Sequence, residues 1–127
     1  MSAADNTTPA PWLSNYGSWT PESIDYGSTT LVDIYNSNAE RNGELSATYF
    51  FGKTMDYADI DYQVNAAAAG LKAFGIRPGD RVAILLPNCP QHLIAFYAIS
   101  KLGAVVVEHN PQYTAHELEP LFRNHGA

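Results

Sequence analysis

The apolar positions of residues 77–127 fall into short unbroken runs separated by Gly, Pro and capping residues, and this punctuation predicts a strand-helix-strand unit. Pro78 and Gly79 suit the central positions of a type II turn, because proline presets φ at the first and glycine accepts positive φ at the second. Val82 to Leu86 is uniformly apolar rather than alternating, as expected of a strand covered on both faces in a parallel sheet, and Pro87 ends it. Asn88 or Cys89 can cap the next helix, with Pro90 in its first turn, where a missing amide costs nothing. Leu93 to Ile99 is apolar nearly all round, so this helix should be covered on more than one side before Gly103 closes it. Ala104 to Val107 reads as a second, β-branched strand, completing a βαβ unit. Thr114 and Glu117 then form a capping box for a last helix with Leu118, Leu121 and Phe122 inward and Gly126 as its stop.

Upstream the pattern changes. Residues 1–11 are rich in Ser, Ala, Asn, Thr and Pro and read as a mobile tail. Trp12, Tyr16, Trp19 and Tyr26 lie among Gly and Pro turns; large aromatics at that density need a surface to be buried against, which predicts an arm wrapping a body. Thr29 or Thr30 can cap a helix to about Asn42, with Leu31, Ile34 and Tyr35 on one side. Ala47 to Phe51 reads as a strand joined through Gly52 and Lys53 to Thr54 and Met55, an antiparallel hairpin. Asp56 fits an N-cap, so a helix starts at Tyr57, carries Ile60, Val64, Ala67, Leu71 and Phe74 at helical spacing, and stops at Gly75. Within it, Ala66 to Gly70 is a small-residue stretch that predicts tight packing on a neighbour. The domain reading is an extended arm over 1–28 and an α/β body over 29–127.

The residues GDRVAILLPNCP, the helix end SKLGAVVVEHNPQYT and the capped HEL resemble the N-terminal region of AMP-forming acyl-CoA synthetases, the long-chain fatty acid ligases above all. The resemblance reaches upstream through MDYADID and the Trp12 to Asp33 segment, and so covers nearly the whole chain. Relatives usually carry threonine and then glutamate where this chain has Asp56 and Asp59; aspartate also caps well, so the helix start is kept. The resemblance implies α/β architecture, a partial sheet at the start of the large N-terminal domain of adenylate-forming enzymes. It also implies a parent enzyme that uses ATP and Mg2+ to convert a fatty acid to acyl-AMP and then transfers the acyl group to coenzyme A. In the family the phosphate loop, the adenine contacts, the acyl tunnel and the catalytic lysine follow this region, so Lys101 is not that lysine. Catalytic, cofactor-binding and metal-binding residues are therefore all expected to be none here, with no cofactor bound to this segment alone.

Composition narrows the partners. A formal charge of −6 argues against a nucleic-acid backbone, which selects clustered Lys and Arg. The acidity is regional: residues 1–61 hold nine acids and two bases, residues 62–127 four acids and five bases, and the first stretch reads as a solvated face. One cysteine, Cys89, excludes an intrachain disulfide and fits a reducing compartment. No secretion signal opens the chain and no apolar run is long enough to span a bilayer, which reads as a cytoplasmic protein. Peripheral membrane contact is the one addition a fatty acid substrate suggests, and no basic amphipathic helix supports it.

The chain's own chemistry is sparse. It contains neither GxGxxG nor GxxxxGK[ST], and no paired carboxylates or metal-ligand spacing. Cys89 has only His92 nearby as an activating partner and reads as a packed side chain; His92, in a first helical turn, reads as neutral packing. Glu108, His109 and Asn110 follow a parallel strand, where ligands bind in open α/β sheets, but they equally suit a turn into the next helix. Arg77, Asp80 and Arg81 read as a turn with charged neighbours, and Lys101 as a complement to its helix dipole. The segment by itself is expected to be inactive and to associate through open sheet edges. The alternative is a free-standing α/β module that binds a nucleotide or a protein.

Overall fold

The computed structural model describes residues 10–25 and 27–127. Residues 1–9 of the tail expected over 1–11, and the aromatic Tyr26, lie outside the described residues. After a single 3-10 turn at Leu13–Asn15, the elements run α1 (Leu31–Asn42), β1 (Ser46–Phe50), β2 (Lys53–Asp56), α2 (Tyr57–Phe74), β3 (Arg81–Ile84), α3 (Pro90–Lys101), β4 (Val105–Glu108) and α4 (Ala115–His125). Each boundary follows from local chemistry. Thr30 accepts from the Asp33 amide while Asp33 accepts from Thr30, which starts α1 and holds the Asp33 carboxyl below the usual carboxylate range. Asp56 accepts from the Asp59 amide to start α2. At α4 the Glu117 carboxylate accepts from both the backbone amide and the hydroxyl of Thr114, and its carboxyl is likewise held low.

The mixed α/β fold carries two small sheets. β1 and β2 form the antiparallel hairpin, and β3 and β4 pair in parallel with Arg81 opposite Val105 and Ile84 opposite Glu108. α3 is the crossover and lies between the parallel pair and α2, its principal partner; Pro90, Ile94, Ala98 and Ile99 are buried along it. The core joins Tyr35, Ile60, Val64 and Ile94, with Ala47, Met55, Ala67, Leu93 and Tyr97 packed against them. At the base of the unit Asp80 donates its amide to Arg77, closing the turn in which Gly79 has φ of 87°. The Gly79 amide then bonds the Gly103 carbonyl at 2.8 Å, and a Cβ on Gly103 would meet Pro78 at 3.4 Å. Two turns close together thus need both glycines.

Several expectations are corrected. Trp12, Tyr16 and Trp19 are exposed, Trp19 at 85%; its ring folds only over its own turn, so close that a Cβ on Gly17 would meet it at 2.8 Å. The aromatic stretch therefore has no body surface to wrap among the described residues. In α1 the buried side chain is Tyr35, while Leu31 and Ile34 are exposed. Along α2 the buried line is Ile60, Val64 and Ala68, and Phe74 on the last turn is 87% exposed, because an i+4 line drifts across the face and leaves it beyond the neighbour. Gly70 has open space around the position of a Cβ, so close packing rests on Ala67 and Ala68 alone. The hairpin turn is Phe51 and Gly52, both at positive φ, rather than Gly52 and Lys53, and a two-residue turn with both central residues at positive φ matches the twist of the flanking strands. β3 stops at Ile84, leaving Leu85 and Leu86 partly exposed past its end.

Candidate functional site

The carboxyl ends of β3 and β4 face the N-terminus of α3 and the C-terminal turn of α4, and five of the residues singled out from sequence lie there. Cys89 occupies the N-cap position of α3. His92, one turn in, places Nε2 at 2.9 and 3.0 Å from the two oxygens of Glu108 at the end of β4. His109, the next residue, points to the other face of the strand, is buried, and meets His125 of α4 with the two Nε2 atoms 3.0 Å apart. Phe122 stacks on His109 with ring centres 5.0 Å apart. Burial first, then the nearby His109 and Arg81, hold the His125 imidazole below its ordinary value. Asn110 acts as a turn former: its side chain accepts from the Gln112 amide, and its carbonyl from Tyr113.

Cys89 and His92 share an open cleft of about 350 Å³ with Asn88, Leu93 and Phe96. Among the described residues no hydrogen bond joins the thiol to His92, whose Nε2 is already directed at Glu108, so the three do not form a nucleophile-base pair. Arg77 and Asp80 remain at the opposite end of the strands, where Asp80 accepts from the Arg77 amide, and Arg81 begins β3 there while its charge still reaches His125. No group of three or more His, Cys, Asp or Glu among the described residues is placed to share a metal ion. These donors do not fit a magnesium nucleotide: Glu108 faces His92, His109 faces His125, and the turn after β3 runs Leu85, Leu86, Pro87 rather than a run of exposed amides beside glycines.

A second polar cluster, which sequence reasoning missed, joins three helices. Lys101 donates to Asp61 at 3.0 Å and to Asn65 at 2.8 Å, Asn65 donates to the other Asp61 oxygen, and the ammonium lies 5.2 Å from the centre of the Tyr35 ring. Tyr35 stacks on Tyr97 at 4.1 Å, and among the described residues its buried hydroxyl has no hydrogen-bond partner. Burial, then the Asp61 charge, pushes the Tyr35 phenol well up. The only sequence signal was that Asp61 and Asn65 stand one turn apart, which is common on any helix.

Residues 35–127 match the family described as AMP-binding enzyme. The chain is 40% identical over 114 residues to a long-chain-fatty-acid--CoA ligase of Bacillus subtilis, a match covering 90% of this chain and 20% of that protein. It is 43% identical over 85 residues to 4-coumarate--CoA ligase 4 of Arabidopsis thaliana, covering 64% of this chain and 15% of the relative. Among solved structures it resembles the Klebsiella oxytoca NpsA N-terminal subdomain in complex with anthranilyl-AMSN, with a TM-score of 0.74, 28% identity, and 76% and 25% of the two chains covered. The chain thus spans about a fifth of the length of the curated long-chain relatives it matches.

Proposed function

The chain belongs to the AMP-binding enzyme family of adenylate-forming enzymes, and from that premise we propose that it is the scaffold opening of a fatty acyl-CoA ligase. In the parent reaction a fatty acid carboxylate would attack the α-phosphorus of ATP and expel pyrophosphate, and Mg2+ held by other parts of the parent would offset the phosphate charge. The thiol of coenzyme A then attacks the acyl carbon of the adenylate and expels AMP. The observation that carries the fatty acid reading is the 40% identity along 90% of the chain to a relative named for long-chain fatty acids, against 64% coverage by the 4-coumarate ligase. The proposed division keeps residues 1–28 apart from 29–127, which we take as the first part of the α/β body. No helix among the described residues is long and apolar enough to cross a membrane, and we place the parent in the cytoplasm.

The segment's task is mechanical. Its hydrogen-bonded turns, crossover helix and three-helix core fix the two parallel strands, and the reacting groups are supplied by other parts of the parent. Accordingly, the 127-residue chain mixed with ATP, Mg2+, a long-chain fatty acid and coenzyme A should yield no thioester, and calorimetry should find no ATP site tighter than about millimolar, a weak-contact affinity. Thioester formation, or a micromolar ATP site, would overturn the scaffold reading in favour of a free-standing nucleotide-binding module. The protein carrying this segment, assayed over short, long and aromatic acids, should prefer long chains; a preference for aromatic acids would move it to the aryl ligases.

Association of the isolated segment follows from its strands. β3 and β4 are paired only with each other among the described residues, so each presents one unpaired edge, and Leu85, Leu86 and Val105 are partly exposed beside them. Light scattering at micromolar concentration should report a dimer or larger species, and a stable monomer would count against open edges as the driving feature.

A further inference from the structure

We propose that the cavity enclosed by α1, β1, α2 and α3 binds a compact monocarboxylate with an apolar body, held at its charged end by Arg41. The cavity measures about 370 Å³, within the range of small-molecule sites. Its inner wall is the three-helix core itself: Ile60 and Tyr35 are buried, and Ala47, Leu93 and Tyr97 are half-buried around them. Ile34 on the exposed side of α1 and Tyr57 at the start of α2 complete the apolar lining. At about 30 Å³ for each heavy atom, a water's share of liquid volume, the space holds on the order of ten such atoms. That suits a medium-chain or aryl acid and is too small for a long chain.

The polar part of the lining is one-sided. Arg41, in the last turn of α1, is exposed at the rim. Among the described residues its guanidinium makes no ion pair, and its one hydrogen bond runs from Nε to the Ser37 carbonyl at 3.1 Å. The rest of its donor fork is left to a ligand or to water. Asn38, on the same helix, accepts from the Asn42 amide group through Oδ1, which leaves its own Nδ2 hydrogens to donate. No carboxylate lines the cavity among the described residues, and Asp61 of α2 is engaged by Lys101 and Asn65. The carbonyls that end α1 are taken as well: Asn42 and Gly43 accept from the Leu45 and Ala58 amides. What remains is an uncompensated positive charge and amide donors at the rim of an apolar floor. A planar fork matches both oxygens of a carboxylate, so an acid with a hydrophobic tail fits both ends of the site, whereas a cation meets repulsion. This inference stands apart from the fatty acyl reading, because the 127-residue chain can hold such an acid without activating it.

The test is titration of the 127-residue chain with octanoate, octan-1-ol and octylammonium, followed by calorimetry and by NMR of the Ile60, Leu93 and Tyr97 side chains. Octanoate should saturate with a Kd of roughly 0.1–1 mM, as suits a ligand of about ten heavy atoms, and should shift those signals. The alcohol should bind about tenfold more weakly, since it loses the charge-assisted bonds, and the ammonium more weakly still. Arg41→Gln should bring octanoate down to the affinity of the alcohol. Because Arg41 is exposed, that variant should keep the unfolding midpoint of the parent, so the loss reads the site rather than the fold. Equal affinity for acid, alcohol and ammonium, no saturation by octanoate up to about 10 mM, full octanoate affinity in Arg41→Gln, or shifts confined to Leu85, Leu86 and Val105 at the open strand edge would each overturn the site.

Discussion

Ile60→Ala should cost about 2–5 kcal/mol of unfolding free energy, while Ile34→Ala should cost under about 0.5 kcal/mol, although the two residues look equally apolar and helix-borne in sequence. Ile60 is 1% exposed and belongs to the cluster with Tyr35, Val64 and Ile94, where α1, α2 and α3 meet. Truncating it removes three carbons from a site whose walls come from three elements, and such walls relax only partly, so a cavity cost adds to the lost transfer energy. Ile34 is 57% exposed on the neighbouring helix, so its truncation mostly removes surface already in water. Against a total stability of order 5–15 kcal/mol the first change is a large fraction and the second is within error. Urea denaturation of the two variants decides it, and equal losses would mean that the three-helix core is misplaced.

That contrast marks how far the sequence could be read. The elements were legible because their ends carry local chemistry: Thr30 with Asp33, Asp56, and Thr114 with Glu117 each satisfy backbone groups within a few residues of themselves, and Pro90 removes an amide that the first turn of α3 would leave unpaired. The parallel unit was legible too, because an unbroken apolar strand on either side of an apolar helix leaves few other arrangements. Which apolar residue faces inward was less so. Periodicity gives a stripe, but the depth of each position depends on where the partner helix ends, and this leaves Phe74 and Ile34 in solvent while Ala68 is buried. The aromatic arm failed for the same reason: Trp12 and Trp19 declare a need for cover and say nothing of what supplies it.

The candidate site was half legible. The strand-end rule picked out Glu108, His109 and Asn110, and the fold does gather them at one end with His92. What it could not give was pairing across 16 residues, since nothing local ties His92 to Glu108 or His109 to His125. These contacts exist only once α3 and α4 have packed. Side-chain alternation along β4 then sends neighbours 108 and 109 to opposite faces and separates the two pairs.

Lys101 shows the larger consequence of that gap. Read as a helix-end charge it is worth about 0.3–1 kcal/mol, screened by salt, and Lys101→Arg would be neutral. In the fold its side chain is 16% exposed and its Asp61 partner 33%, and it also holds Asn65 and lies over Tyr35, so three helices share one ammonium. Lys101→Met should therefore cost about 1–3 kcal/mol, between an exposed pair and a fully buried one, because it strands a half-buried carboxylate beside the Tyr35 ring. Lys101→Arg should lose stability as well, since a planar fork does not reproduce a point charge that bonds Asp61 and Asn65 from above a ring. Adding Asp61→Leu to Lys101→Met should recover part of the loss, as the uncompensated charge is then gone, giving a coupling energy of about 1 kcal/mol or more in a double-mutant cycle. A Met variant within about 0.5 kcal/mol of the parent, with an Arg variant equal to both, would return Lys101 to the surface role its position in the last helical turn first suggests.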